Sequence, residues 1–394
     1  MQVTFIMYYI TVILTSTTRG AMIVGLSWLA YQEASALYLV GVVFLTSHVS
    51  TIFIGPFIGA TIDSFNRRLL VQISQILVAI AFFLPLLFPH VDGVFLLPVV
   101  AFISNFGPLV MQGSLDGIQQ VLTPEKKIRK VTTVAGGLRQ IGMVSGGAIV
   151  GLIIASFGET SALFFLIFTS LLSVITTTFL PVAKPTLEGL TSSFISKISE
   201  GVHEFSRDTR LLRIGLVFAA AFSIGQATNV LLPALVSEGL DADSLAFGII
   251  DAAWSVGGIA AAFILSKFAV QRGYKSFEYL FTILLGTSAI VAGTLYSIPT
   301  AIALYLLMGA FFSVARISCD SKLLEICPNT SIGRVRTHFQ TLVSIFGVVL
   351  YGTTATFEEI GYIYWFAIWG AIALTIAILV WLSEIPESRK SRSI

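Results

Sequence analysis

The sequence predicts an all-α integral membrane protein of twelve transmembrane helices, arranged as two pseudo-symmetric six-helix bundles. Three observations carry that expectation. The 394-residue chain is 56% hydrophobic and 11% charged, with 31 Phe, whereas a soluble domain carries about a quarter charged residues. Every Lys and Arg outside the apolar runs falls on one side of the membrane once the runs are threaded alternately through it. A set of polar residues in the first half recurs in the second at a constant spacing.

In order, the apolar runs fall at residues 4–30, 37–62, 69–89, 94–120, 131–156, 161–181, 211–236, 244–266, 277–297, 300–320, 335–356 and 361–382. A span needs about 20 apolar residues, and each run supplies them. With the N-terminus inside, even-numbered spans return to the cytoplasm. The inner loops and tail then hold Arg67 and Arg68; Lys126, Lys127, Arg129 and Lys130; the bases from Lys184 to Arg213; Lys267, Arg272 and Lys275; Lys322, Arg334 and Arg336; and Arg389, Lys390 and Arg392. The outer loops carry Glu33, Asp92, Glu159, Glu238, Asp241, Asp243, Glu358 and Glu359, and no base. Lys and Arg in short loops mark the cytoplasmic side. An odd number of spans would scatter them over both faces. Residues 1 to 31 are too long for a cleavable signal and lack a basic n-region, so the first run is read as a span.

The repeat links Thr123-Pro124 and Ile128 to Thr133 with Cys327-Pro328 and Ile332 to Thr337. Pro, Ile, a base, Val and Thr recur at a shift of 204 residues, as do Ser114 with Ser318 and Asp116 with Asp320. The predicted organisation is a bundle over 1–181, a linker over 182–210, and a second bundle with a short tail over 211–394. In the linker Phe194, Ile198, Val202 and Phe205 recur at helical spacing between Lys197, Glu200, Glu204 and Arg207. That pattern reads as an amphipathic helix on the inner leaflet or a solvated connector. Cys319 and Cys327 lie near the inner face and suggest no disulfide framework.

Between the second and third runs stands Gly59-Ala60-Thr61-Ile62-Asp63-Ser64-Phe65-Asn66-Arg67-Arg68. This G-x-x-x-D-x-x-x-R-R pattern resembles the loop joining helices two and three in transporters of the major facilitator superfamily. Ser64 stands where a base is usual. Asn66 replaces a glycine, and Asn tolerates a left-handed turn best after Gly. Within the superfamily, Glu200-Gly201, Arg207-Asp208 and Leu211-Leu212-Arg213, with Leu138-Arg139-Gln140 and Gly333-Arg334-Val335, resemble an exporter branch that includes enterobactin exporters and macrolide efflux pumps. Span five has Gly142, Gly146, Gly147 and Gly151 but lacks the Gly-Pro pair of antiporter motifs. The resemblance implies two six-helix bundles related as parallel repeats, with helices one, four, seven and ten around a central cavity. It also implies an inner gate of Gly59, Asp63, Arg67, Arg68, Asp116, Arg272 and Asp320. In that gate Arg67 would meet Asp116, and the internal repeat places Asp320 at the equivalent point of the second half, with Arg272 as its candidate partner.

Polar residues inside spans are costly and mark function. Arg19 shares a face of span one with Thr4, Tyr8, Thr11, Thr15 and Thr18, which reads as a wet stripe; the alternative is an arginine snorkelling to the headgroups. Asn105, Gln112 and Asp116 share a face of span four, Gln226 and Asn229 lie on span seven, and Ser313, Arg316 and Asp320 on span ten. The substrate-cavity candidates are Arg19, Thr15, Asn105, Gln112, Gln226, Asn229 and Arg316. Amide residues also glue helices together, and Arg316 with Asp320 at i, i+4 also suits a local ion pair. Asp251 and His48 are the proton-coupling candidates, Asp251 ahead; His338 lies near the inner surface.

No phosphate-binding G-x-x-x-x-G-K-[ST] loop, soluble catalytic domain or metal-ligand cluster occurs in the sequence. The expected activity is therefore secondary transport rather than ATP-driven or enzymatic work, with no cofactor. The leading expectation is proton-coupled export of a small organic molecule across a bacterial inner membrane, with an anionic siderophore favoured by Arg19, Arg139 and Arg316. A macrolide or other drug, a lysophospholipid, and a non-transporting scaffold or sensor are the alternatives. The expected partners are the substrate, protons and the lipid bilayer, with no nucleic acid and a monomeric chain.

Overall fold

The computed structural model describes residues 2–123, 128–182, 209–268, 276–326 and 332–390, apart from the side chains of 2, 54–64, 112, 128–130, 132–133, 266–268, 324–325, 332–338 and 385–390. Residues 183–208 of the expected linker, Arg272, and the side chains at Gly59, Asp63, Gln112 and His338 lie outside the described set. The described residues form thirteen α-helices and no strand. Ten helical stretches are long and apolar enough to cross a membrane, and Leu37–Phe53 and Phe277–Ala292 are shorter apolar helices. Each expected span has its helix. Spans one to three are Gln2–Ala34, Leu37–Ser64 and Arg67–Leu87; span four is Gly93–Ser104 followed by Phe106–Leu122; spans five and six are Ile128–Phe157 and Glu159–Thr177. Spans seven to twelve are Thr209–Ala234, Ser244–Phe268, Phe277–Ala292, Ile298–Ile326, Ile332–Thr356 and Gly361–Lys390.

Span four is broken where Asn105 stands between its two helices. Pro108 has no N–H to return to the Ser104 carbonyl four residues back, which weakens the helix at that point. Span seven ends in a π-helical turn, Leu235–Gly239, just after Pro233. Asn66 does not take the left-handed turn that its place in the motif suggested. Its φ is −64° and ψ 109°, and its side chain accepts from the Arg68 N–H as the N-cap of span three. An extended backbone is what an N-cap requires, so the glycine of the motif is not missed here.

The acids of the expected outer side have a shared use. Asp92 accepts from Val94 N at 2.9 Å and Glu33 from Gly93 N at 3.0 Å, together closing the start of span four. Asp243 accepts from Leu245 N and Ala246 N, each at 3.1 Å, at the start of span eight. Glu159 is the first residue of span six. Even-numbered spans begin on that side, and carboxylates complement the positive end of a helix.

The chain divides into two compact units, Met1–Thr191 with Ala242–Ala252, and Ser192–Asp241 with Ala253–Ile394. In the first, span one packs along spans five and six, and span three along spans four and six. In the second, span nine packs on spans ten and twelve, and span seven on spans eleven and twelve.

Glycines set the closeness of spans one and five. A Cβ on Gly146 would lie 2.1 Å from the Thr17 carbonyl oxygen, one on Gly142 2.7 Å from that of Ile13, and one on Gly20 2.0 Å from that of Met143. Among the described residues, Gly136 and Gly137 on the same span have nothing within 4 Å of such an atom. Gly146→Ala is therefore expected to lower thermal stability by about 1–3 kcal/mol through overpacking. Gly137→Ala is expected to be neutral or to gain up to about 1 kcal/mol of helix propensity. Unfolding midpoints in detergent check the pair, and equal behaviour of the two variants would contradict this packing.

Candidate functional site

Arg19 lies about halfway along span one. From Met7 to Tyr31 it is the one exposed residue, and Thr15 to Thr18 and Gly20 to Met22 around it are buried. It borders a narrow cleft lined by Thr15, Thr18 and Met22 of span one, Gln75 and Val78 of span three, and Pro108 and Met111 of span four. About 10 Å³ of it admits the centre of a water-sized sphere, room for about one water molecule. Among the described residues no acid pairs with Arg19, and the charged group that acts on it is a second cation, Arg139.

The threonine stripe around Arg19 is not the wet face that its pattern suggested. Tyr8, Thr11, Thr15 and Thr18 are 0%, 0%, 1% and 3% exposed. Thr11 Oγ1 and Thr176 Oγ1 meet at 2.9 Å, as do Thr18 Oγ1 and Thr169 Oγ1. Tyr8 donates to Gln119 Oε1 at 2.9 Å. Thr15 donates to the Thr11 and Val12 carbonyls. The stripe holds span one against spans four and six, and only Arg19 faces open space.

Asn105 is likewise a fastener. Its Nδ2 donates to Ser47 O, Ser50 Oγ and Thr51 Oγ1 of span two at 2.7, 2.8 and 3.0 Å, bracing span four where it breaks. In the second unit Gln226 Nε2 donates to Val343 O of span eleven at 3.3 Å, and Asn229 shares a hydrogen bond with Tyr351. Both amides thus join span seven to span eleven. Arg316 is exposed and lies over the Phe312 ring, 5.9 Å from its centroid. Asp320, one turn further along the span, is half-buried. Phe312 also meets Phe222 at 4.9 Å and Trp254 at 5.6 Å, so Arg316 stands at the edge of an aromatic group.

Asp251 sits half-buried in the part of span eight that belongs to the first unit. A Cβ on Gly147 of span five would lie 3.1 Å from Asp251 Oδ2, so the carboxyl rests against the bare glycine face. No hydrogen bond or cation reaches it among the described residues. His48 differs: its Nδ1 lies 3.0 Å from the Phe44 carbonyl, a bond within its own helix.

At the inner end of the first unit, Asp116 is ion-paired with Arg139 of span five, not with Arg67. Arg67 lies one residue further on, over Gly117, where an added Cβ would come within 2.2 Å of its Nη1; among the described residues its buried Nε has no hydrogen-bond partner. Arg139 reaches Asp116 because the spans carrying them are adjacent in space, which the 23 residues separating them do not reveal. Arg68 Nη1 donates to Leu180 O at 3.1 Å and ties the loop to the end of span six. In the second unit Lys322 Nζ lies 2.5 Å from Glu278 Oε1 and 3.5 Å from Glu384 Oε2, and Tyr279 donates to Glu384 Oε1 at 2.5 Å. The sequence reading missed this cluster, since its acids lie more than a hundred residues apart.

The Arg139–Asp116 side chains are 28% and 47% exposed, so the pair contributes only about 0.2–1 kcal/mol. A double-mutant cycle on thermal stability is expected to give that coupling for Asp116 with Arg139 and none for Asp116 with Arg67. Coupling to Arg67 alone would contradict the geometry.

No curated protein sequence matches the chain at a significant level. Its structure is similar to that of the nucleoside transporter NupG, with a TM-score of 0.75 and 16% identity over 97% of this chain and 99% of that one. It is similar also to a POT family transporter in complex with a thioalcohol-conjugated peptide (TM-score 0.74, 14% identity, 97% and 96% covered). A POT family transporter in complex with 5-aminolevulinic acid gives a TM-score of 0.73 at 14% identity, again with 97% and 96% covered. At such identities these likenesses concern the fold. The sequence model of the Major Facilitator Superfamily matches residues 8–350, and the chain is a multi-pass membrane transporter belonging to that superfamily.

Proposed function

We propose that this transporter exports a small organic anion from the bacterial cytoplasm in exchange for protons, by alternating access, with an anionic siderophore as the favoured class. The observation that carries the reading is Arg19, the one exposed residue between Met7 and Tyr31 of span one, paired with no acid among the described residues. An intramembrane cation is costly unless something of opposite charge visits it. Asp251 supports the proton half of the reading, because a membrane carboxyl without a fixed partner is free to take up and release a proton. His48, bonded to its own helix, ranks below it. Both termini are assigned to the cytoplasm on the distribution of Lys and Arg.

A second reading, efflux of a lipophilic drug, is favoured by the aromatic group of Phe222, Trp254 and Phe312 beside Arg316. Metabolite profiling of the medium from a deletion strain separates the two. The first reading expects an organic anion to vanish from the medium and accumulate in cells, under iron limitation if it is a siderophore. An unchanged medium with heightened sensitivity to uncharged or cationic drugs would favour the second.

A further inference from the structure

Span seven is buried almost throughout. Between Val217 and Val236 it is partly open only at Phe222, Gly225 and Asn229, three and four positions apart and so on one face. Trp254 of span eight and Phe312 of span ten stand against that face. Phe312 meets the Phe222 ring at 4.9 Å and the Trp254 ring at 5.6 Å, and a Cβ on Gly225 would lie 3.8 Å from Trp254 Cζ2. All four residues belong to the second unit, and the three rings are half-buried. Phe218 and Tyr305, both buried, back them at 4.5 Å from Phe222 and 6.4 Å from Trp254. The group is turned away from lipid. Trp254 is nine residues from the exposed Phe263 on span eight, and Arg316 nine from the exposed Leu307 on span ten. Nine residues make about two and a half turns, so Trp254 and Arg316 stand opposite the apolar side chains that their helices expose. Arg316 is also about two turns inside the inner end of its span at Leu323. Ionisable side chains at such depth face the bundle interior or a water-filled cavity, where substrate pathways run.

We propose that this face of the second bundle is a subsite for an aromatic ring bearing an acid group, with Arg316 holding the acid and Phe222, Trp254 and Phe312 the ring. The inference deepens the reading of the substrate as an organic anion and rests on it. Arg316 is exposed, and its guanidinium lies over the Phe312 ring, 5.9 Å from the centroid. A guanidinium stacked on a ring keeps its in-plane N–H donors free to grip two carboxylate oxygens side by side. The ring that carries the acid is then brought against Phe222 and Trp254, where aromatic pairs take offset or edge-to-face contacts. The buried Phe218 and Tyr305 hold those side chains from behind, so little freedom is lost when a ligand binds. Gly225 supplies clearance, since a longer side chain there would grow toward the indole. An aliphatic acid uses the cation alone and a neutral aromatic the rings alone. An aromatic acid uses both.

The test uses the full chain in lipid nanodiscs, with ligand-dependent thermal unfolding as the readout of Kd. The probes are 2-naphthoate, its saturated counterpart decahydro-2-naphthoate, and the neutral 2-naphthamide. The wild type is expected to bind 2-naphthoate at least about tenfold more tightly than 2-naphthamide, and about three- to tenfold more tightly than the saturated acid. Arg316→Gln should bring 2-naphthoate and 2-naphthamide within about twofold, and Trp254→Leu should do the same for the two acids. Should Trp254→Leu fail to fold, Phe222→Leu removes another ring of the same group. Equal binding of the two acids by the wild type, or a ring preference untouched by the ring variant, overturns the aromatic half of the subsite. A charge preference that survives Arg316→Gln overturns its acid half, and if Arg19→Ala abolishes that preference the organic-anion reading still stands. No binding of 2-naphthoate overturns the subsite outright. Binding of 2-naphthamide as tight as that of 2-naphthoate overturns both this subsite and the anion reading, in favour of an uncharged lipophilic substrate.

Discussion

Arg19→Ala is expected to give a protein that inserts and folds normally and barely transports. Losing a desolvated charge contact to substrate costs about 2–5 kcal/mol, a fall in affinity of about thirtyfold or more. The fold itself should not suffer, because no acid among the described residues depends on this guanidinium, and removing an unpaired charge from a span is favourable. An unchanged or raised unfolding midpoint alongside lost transport is therefore the signature. Arg19→Lys keeps the charge but not the planar fork, so partial activity means that charge suffices and none means that a bidentate grip is needed. Full activity in Arg19→Ala would return this residue to a snorkelling role.

The second large effect is expected at Asp251. Asn in its place preserves size beside Gly147, where the carboxyl oxygen has only 3.1 Å to an added Cβ, and removes the titratable proton. Uphill transport should be lost while substrate exchange and binding persist. Glu, one methylene longer, is expected to be tolerated poorly against that glycine face. If Asp251→Asn still builds a gradient with unchanged pH dependence, another group couples the proton, with His48 next in line.

The fold was largely legible because bilayer chemistry acts on long, uniform stretches. Apolar runs and one-sided Lys and Arg need no knowledge of which helix touches which. The site was less legible because its meaning depends on partners far away in sequence. Thr11 and Thr18 present the same spacing whether they line water or meet Thr176 and Thr169, as they do here. Asn105 looked like a cavity amide, and its three acceptors lie 54 to 58 residues upstream. Asp116 was given to Arg67 by family resemblance, yet Arg139 holds it. Asn66 shows the converse error, in which a turn preference was assumed where a helix cap was needed.

Coupling of the organic anion to the proton is the central claim, and everted membrane vesicles with an acidified lumen test it most directly. The compound missing from the deletion strain's medium is added outside, and lumenal pH is followed with a fluorescent dye. The account predicts that the compound accumulates inside as lumenal acid is released, and that neither occurs with Arg19→Ala or Asp251→Asn vesicles. Accumulation that persists after a protonophore has collapsed the gradient, with no proton release in the wild type, would contradict it.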